Sequence, residues 1–183
     1  LNSSAADITV MTPPAITAHP TDANAATGAT VTFDVNATGS EPLTYQWQKD
    51  GVDFNSSTTA TLTLNEVQPA NAGTYRVKVP NPAGSATSNG ATLNVGTIPM
   101  IVAHPSDANA TVGSNVTFDV NATGTPPLAY QWQKKAGNDY NNITGASAST
   151  FTLTDAQLVD SSTYRVVVNS PYGTATSNGA LLT

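Results

Sequence analysis

Few residues in this 183-residue chain are of a type that does chemistry, and their spacing does not assemble a reactive set. His19 and His104 each stand in an "AHP" triplet, 85 residues apart. A single histidine repeated at matched positions reads as a half-exposed strand residue, and the proline after it marks an edge strand or a switch between sheets. Asp50 and Asp53 form the closest pair of acids, but Lys135 replaces Asp50 in the corresponding later stretch, which is a poor basis for paired catalytic carboxylates. Asp34 and Asp119 are lone acids on the polar side of a strand. Cysteine is absent, which removes thiolate nucleophiles, disulfides and thiolate metal sites. The chain has no HExxH, no GxSxG and no phosphate-binding loop. These residues predict no catalytic site, no cofactor and no metal, and hence a protein that is not an enzyme.

Composition narrows the partners. Apolar residues make up 39% of the chain, enough for a core, whereas charged residues are only 10%. The formal net charge is −6, and the six basic residues are scattered, so no basic stripe exists for nucleic acid. No apolar run approaches the roughly 20 residues that span a bilayer. No secretory signal precedes Leu1, so the chain reads as processed or as an internal piece. The abundance of Thr, Ser and Asn with little Lys points to an extracellular or cell-surface setting.

The elements that would position any site are set by an internal repeat. His19, Gly28, Val35 and Trp47 recur as His104, Gly113, Val120 and Trp132, each 85 residues later. "GTYRVKV" (73–79) recurs as "STYRVVV" (162–168), and "ATSNGA" (86–91) recurs at 175–180, now 89 residues on. The four added residues fall within the polar stretch 136–149, which reads as a surface loop. Residues 6–20 also align without a gap on 91–105. Residues 1–10 therefore resemble the last strand of a preceding repeat, followed by domains over 11–96 and 97–183.

Each repeat alternates apolar and polar residues over short runs: Val31, Phe33, Val35; Leu43, Tyr45, Trp47; Leu62, Leu64; Tyr75, Val77, Val79. Period two between turn signals such as "KDG" and "PNPAG" means strands with one buried face. Many short strands at even spacing predict an all-β sandwich or barrel. The junction 95–101 holds Pro99 and no acid, so it offers no calcium ligands and predicts a semi-rigid tandem.

Both repeats resemble immunoglobulin-like domains of the I-set type. That pattern has a Cys, a Trp about a dozen residues later, and a D-x-G-x-Y-x-C motif. Here Val35 and Val120 stand at the first Cys, Trp47 and Trp132 follow by 12, and Val77 and Val166 stand at the second Cys. Tyr75 and Tyr164 keep the motif tyrosine. The family Asp is kept as Asp160 but is Asn71 in the first copy, and the family Gly is kept as Gly73 but is Ser162 in the second. The resemblance implies two tandem immunoglobulin-like β-sandwiches with Greek-key topology. It also implies structural cores of Val35, Trp47, Tyr75 and Val77, and of Val120, Trp132, Tyr164 and Val166, with the tyrosines as tyrosine corners.

Cysteine-free versions of this pattern are similar to tandem modules of secreted bacterial proteins. The resemblance therefore implies a structural or adhesive repeat module, part of a fibre or longer array, whose partners are other protein subunits or neighbouring repeats. The first strand, with Ile8 and Val10, is a possible strand donor to another molecule's sheet. The alternative is a carbohydrate-binding or spacer module appended to a secreted polysaccharide-degrading enzyme. Its glycan partner would stack on Phe54, Tyr140 or Tyr172, with Phe54 corresponding to Tyr140 or Ile143. Seven N-x-S/T sequons occur, of which Asn36 and Asn121 match by duplication and should point outward as possible glycosylation sites.

Overall fold

A computed structural model describes residues 10–54 and 57–183 of the chain. The chain divides into two compact units, Leu1–Val95 and Gly96–Thr183. Each is a β-sandwich whose strands alternate buried and exposed residues along their length.

The first unit contains β1 (Ala15–Ala18), β2 (Ala23–Ala26), β3 (Val31–Asp34), β4 (Asn36–Thr38), β5 (Gln46–Lys49), β6 (Val52–Asp53), β7 (Thr61–Leu64), β8 (Gly73–Asn81), β9 (Gly84–Thr87) and β10 (Ala91–Gly96). One face is built from β1 against β4 and β3 against β7, with Val35 interrupting the β3–β4 strand. The other face runs β2-β10-β8-β5-β6, with β9 also paired to β8. The chain therefore crosses from one sheet to the other between β1 and β2, at His19–Pro20. Proline cannot donate to a ladder, so it suits the crossing better than a strand interior.

The second unit repeats this plan with β11 (Met100–Ala103), β12 (Val116–Asp119), β13 (Asn121–Thr123), β14 (Ala129–Ala136), β15 (Asp139–Asn142), β16 (Thr150–Leu153), β17 (Ser162–Ser170), β18 (Gly173–Thr176) and β19 (Ala180–Leu182). The place of β2 is taken by a single parallel bridge, Ala108 to Leu182.

The four added residues do not form the loop expected over 136–149. Gln48 pairs with Asp53 in the first unit, and Gln133 pairs with Asn142 in the second. The insertion lies wholly between these pairs and lengthens the β14–β15 hairpin. Polar side chains on both faces suit an edge hairpin, which is why the stretch reads as a loop in sequence.

The buried faces meet in one core per unit. The first gathers Val31, Phe33, Val35, Trp47, Leu62, Val67, Tyr75, Val77, Val79 and Leu93. The second gathers Val116, Phe118, Val120, Trp132, Tyr164, Val166, Val168 and Leu182.

Candidate functional site

The tryptophans are fully buried. Trp47 lies opposite Val77 across β5 and β8, and Trp132 lies opposite Val166 across β14 and β17. Val35 and Val120 are buried in the same clusters. Burying a tryptophan also buries an N–H donor, which must be paired. Trp47 Nε1 donates to the Thr59 carbonyl at 3.0 Å, and Trp132 Nε1 donates to the Ala148 carbonyl at 3.0 Å. Between each Trp and its Tyr stands a phenylalanine that the motif does not contain. Phe33 stacks on Tyr75 with centroids 5.2 Å apart, and Phe118 stacks on Tyr164 at 5.1 Å. Its signal in the sequence is the strict V-x-F-x-V alternation.

The two tyrosines fasten the turn before their own strand. Tyr75 Oη donates to the Asn71 carbonyl at 2.7 Å, and Tyr164 Oη donates to the Asp160 carbonyl at 2.9 Å. Burial pushes both phenols above the ordinary tyrosine value. They are hydrogen-bond donors held neutral, which is the opposite of what a proton acceptor or nucleophile needs. Asn71 and Asp160 hold the same turns from the other side, accepting the backbone N–H of Gln68 and Gln157. The second unit adds an ion pair here, with Lys134 Nζ 3.0 Å from Asp160. The Lys134 hydrogen bond, followed by that from the Gln157 backbone, holds the Asp160 carboxyl below its ordinary value.

The histidines are spent on the sheet crossing. His19 Nδ1 accepts the Asn89 backbone N–H at 3.0 Å, and His104 Nδ1 accepts that of Asn178 at 3.0 Å. The next residues continue the seam: Asp22 accepts from the Thr92 backbone, and Asp107 accepts from the Leu181 backbone. Beside each histidine seam lies a group that sequence reasoning missed. Ser88 and Ser177 are buried, accept the N–H of Val77 and Val166, and donate to the carbonyls of Asn89 and Asn178. They close the break between β9 and β10, and between β18 and β19. The repeated "TSNG" is the trace they leave in sequence.

The candidate sugar platforms are occupied as well. Phe54 is half-buried against the first core and meets Tyr75 edge-on at 5.9 Å. Phe54 N–H bonds to the Trp47 carbonyl as Ile143 N–H bonds to that of Trp132, so Ile143 is its counterpart. Tyr140 is capped by the Arg165 guanidinium, 3.7 Å from the ring centre. Tyr172 is half-buried at the β17–β18 turn, where its backbone N–H donates to Ser170 Oγ at 3.1 Å.

Gln46 and Gln131 are half-buried and bond to the carbonyls of Phe54 and Ile143, respectively. Among the described residues, no group of three or more His, Asp or Glu is placed to hold a metal, and no helix is long and apolar enough to cross a membrane. Asn36 and Asn121 are exposed and form no side-chain hydrogen bond with described residues. The sequon residues Asn109, Asn115 and Asn142 instead accept from Thr183, Asp155 and Gln133. Asn2, Asn55 and Ile8 lie outside the described residues, and Val10 is exposed.

The paired buried Trp, the tyrosine corner and the two-sheet topology recur in both units. The family model for the immunoglobulin domain matches residues 13–81 and 98–170. The chain belongs to the immunoglobulin domain family. These two immunoglobulin domains are 32% identical over 179 residues to Endoglucanase C of Cellulomonas fimi, covering 94% of this chain and 16% of that protein. They are 28% identical to human Roundabout homolog 3, covering 95% of this chain and 14% of that one. The chain thus spans about a sixth of these relatives. Among solved structures, extracellular domains 3–5 of Drosophila OTK superpose with a TM-score of 0.70 at 19% identity, covering 92% of this chain and 61% of that one. The titin I-band fragment I67–I69 superposes at 0.66 and 21%, covering 94% and 66%. At these identities the structural likeness concerns the fold alone.

Proposed function

We propose that the two immunoglobulin domains form a non-catalytic structural module of an extracellular or cell-surface protein, acting as a spacer between functional parts. The observation that carries this reading is the fate of the reactive and stacking side chains. His19, His104, Tyr75, Tyr164, Phe54 and Tyr140 are each engaged within their own unit. The similarity to an endoglucanase, of which the chain spans a small part, supports the enzyme-appended setting over a free-standing fibre. In that setting chemistry belongs to other domains. Asn36 and Asn121 are the sequons we assign as accepting N-glycans, which mass spectrometry after expression in a glycosylating host would read directly.

The test is a fusion that joins a cellulase catalytic domain to its binding module through this chain. Its turnover of a soluble substrate should equal that of the catalytic domain alone. A rate change that tracks His19→Ala or His104→Ala would contradict the reading.

A further inference from the structure

Asparagine is followed by glycine at two places in the sequence, Asn89 before Gly90 and Asn178 before Gly179, and these are the same place in the two repeats. Each pair lies in the break between two strands, β9 and β10 or β18 and β19. Both asparagines and both glycines are exposed. The backbone is tied at the asparagine. Its N–H goes to His19 or His104, and its carbonyl accepts the hydroxyl of Ser88 or Ser177 at 2.8 Å. The asparagine carboxamides and the glycine N–H groups make no hydrogen bond with described residues.

The glycine is there for packing. A Cβ at Gly90 would stand 2.5 Å from the Thr74 methyl carbon, and one at Gly179 would collide with that of Thr163. Thr74 and Thr163 belong to the neighbouring strands β8 and β17, so the sheet closes here only over a residue without a side chain. That requirement has a chemical consequence. With no side chain on the following residue, nothing hinders the asparagine carboxamide from meeting the next peptide nitrogen. Each unit therefore sets an unpaired amide nitrogen directly after an unpaired, exposed carboxamide.

We propose that Asn89 and Asn178 are sites of self-modification, each converted through a succinimide to isoaspartate, with water as the co-reactant. The glycine nitrogen loses its proton and bonds to the asparagine Cγ. The carboxamide nitrogen leaves as ammonia, taking up that proton. Water then opens the ring at either carbonyl and gives aspartate or isoaspartate. In isoaspartate the main chain runs through the side-chain carbons, which lengthens the backbone between the histidine tie and the glycine. The carbonyl that Ser88 or Ser177 holds becomes a free carboxylate. It joins Asp22 or Asp107, which already accepts a backbone N–H on the same seam, so the change loosens the seam and adds like charge to it. This inference stands independently of the spacer reading, because the reaction needs neither a partner nor a ligand.

The test incubates the full chain in heavy-oxygen water at mildly alkaline pH, beside a double variant carrying Asn89→Gln and Asn178→Gln. Glutamine keeps the carboxamide but closes a larger ring much more slowly, and the side chains it replaces are exposed, so the fold is kept. Peptide mapping by mass spectrometry should find label at Asn89 and Asn178 ahead of every other asparagine. Isoaspartate should exceed aspartate there, and the rate should rise with pH. Conversion should lower the thermal midpoint of the modified unit by roughly 4–8 °C. It should also speed exchange of the residue 89 or 178 amide by about tenfold. No label at either asparagine, label as aspartate alone, or an equal fall in midpoint in the double variant would overturn the proposal.

Discussion

Gly73 and Asp50 show how one position licenses another. Gly73 sits at φ +149°, and a Cβ there would stand 2.6 Å from the Asp50 carboxylate, which accepts the Thr74 N–H at 2.8 Å. In the second unit the same two places hold Ser162 and Lys135, and Ser162 Oγ instead donates to the Lys135 carbonyl at 2.9 Å. The pair has changed together, so the apparent loss of the family glycine is a local exchange. Gly73→Ser should destabilise the first unit by about 1–3 kcal/mol, the usual cost of a backbone forced out of its preferred region. Combined with Asp50→Lys, it should cost measurably less, and a double-mutant cycle by chemical denaturation reads the difference. Additive effects would mean that the carboxylate is not the obstacle.

The strand-joining serines and the turn before the tyrosine set stability at the level of the element. Ser88→Ala leaves the buried Val77 N–H without its acceptor and should cost about 1–3 kcal/mol, with Ser177→Ala matching it in the second unit. The turn at Asp160 is sensitive to pH. Its carboxyl is held below the ordinary value of 3.8, so its contribution is present above that pH and is lost as pH falls through the depressed value. Asp160→Asn keeps an acceptor for Gln157, as Asn71 does for Gln68, but removes the charge. It should flatten the acid limb of second-unit stability while costing only about 0.2–1 kcal/mol near neutrality, because the pair is partly solvated. Acid titration followed by near-ultraviolet circular dichroism checks both. The elements themselves were largely legible in the sequence, because alternation and the doubled Val-Trp-Tyr spacing report which face is buried. The serines were not, because a small polar residue beside Asn-Gly reads as a turn. Nor was the partner of Phe54, since four residues inserted between strands erase the register on which alignment depends.

At the scale of the whole molecule, the buried aromatic side chains are spent on two separate cores. Two separate cores predict that Ser88→Ala lowers only one of two unfolding transitions seen by calorimetry. A single transition shifted as a block would show that the units do not unfold separately. The histidines lie in sheet-crossing seams, Tyr75 and Tyr164 in corners, Phe54 against the first core and Tyr140 under Arg165. Much of what remains outward is threonine, asparagine and serine, with scattered apolar side chains such as Val52, Met100 and Leu158 among them. We propose that none of these histidine and aromatic side chains is kept for a ligand. Retention of the chain on insoluble cellulose and on a glycan array tests it most directly. Retention should not exceed that of an unrelated β-sandwich. Binding that is lost in a folded Tyr140→Ala or Phe54→Ala variant would contradict it.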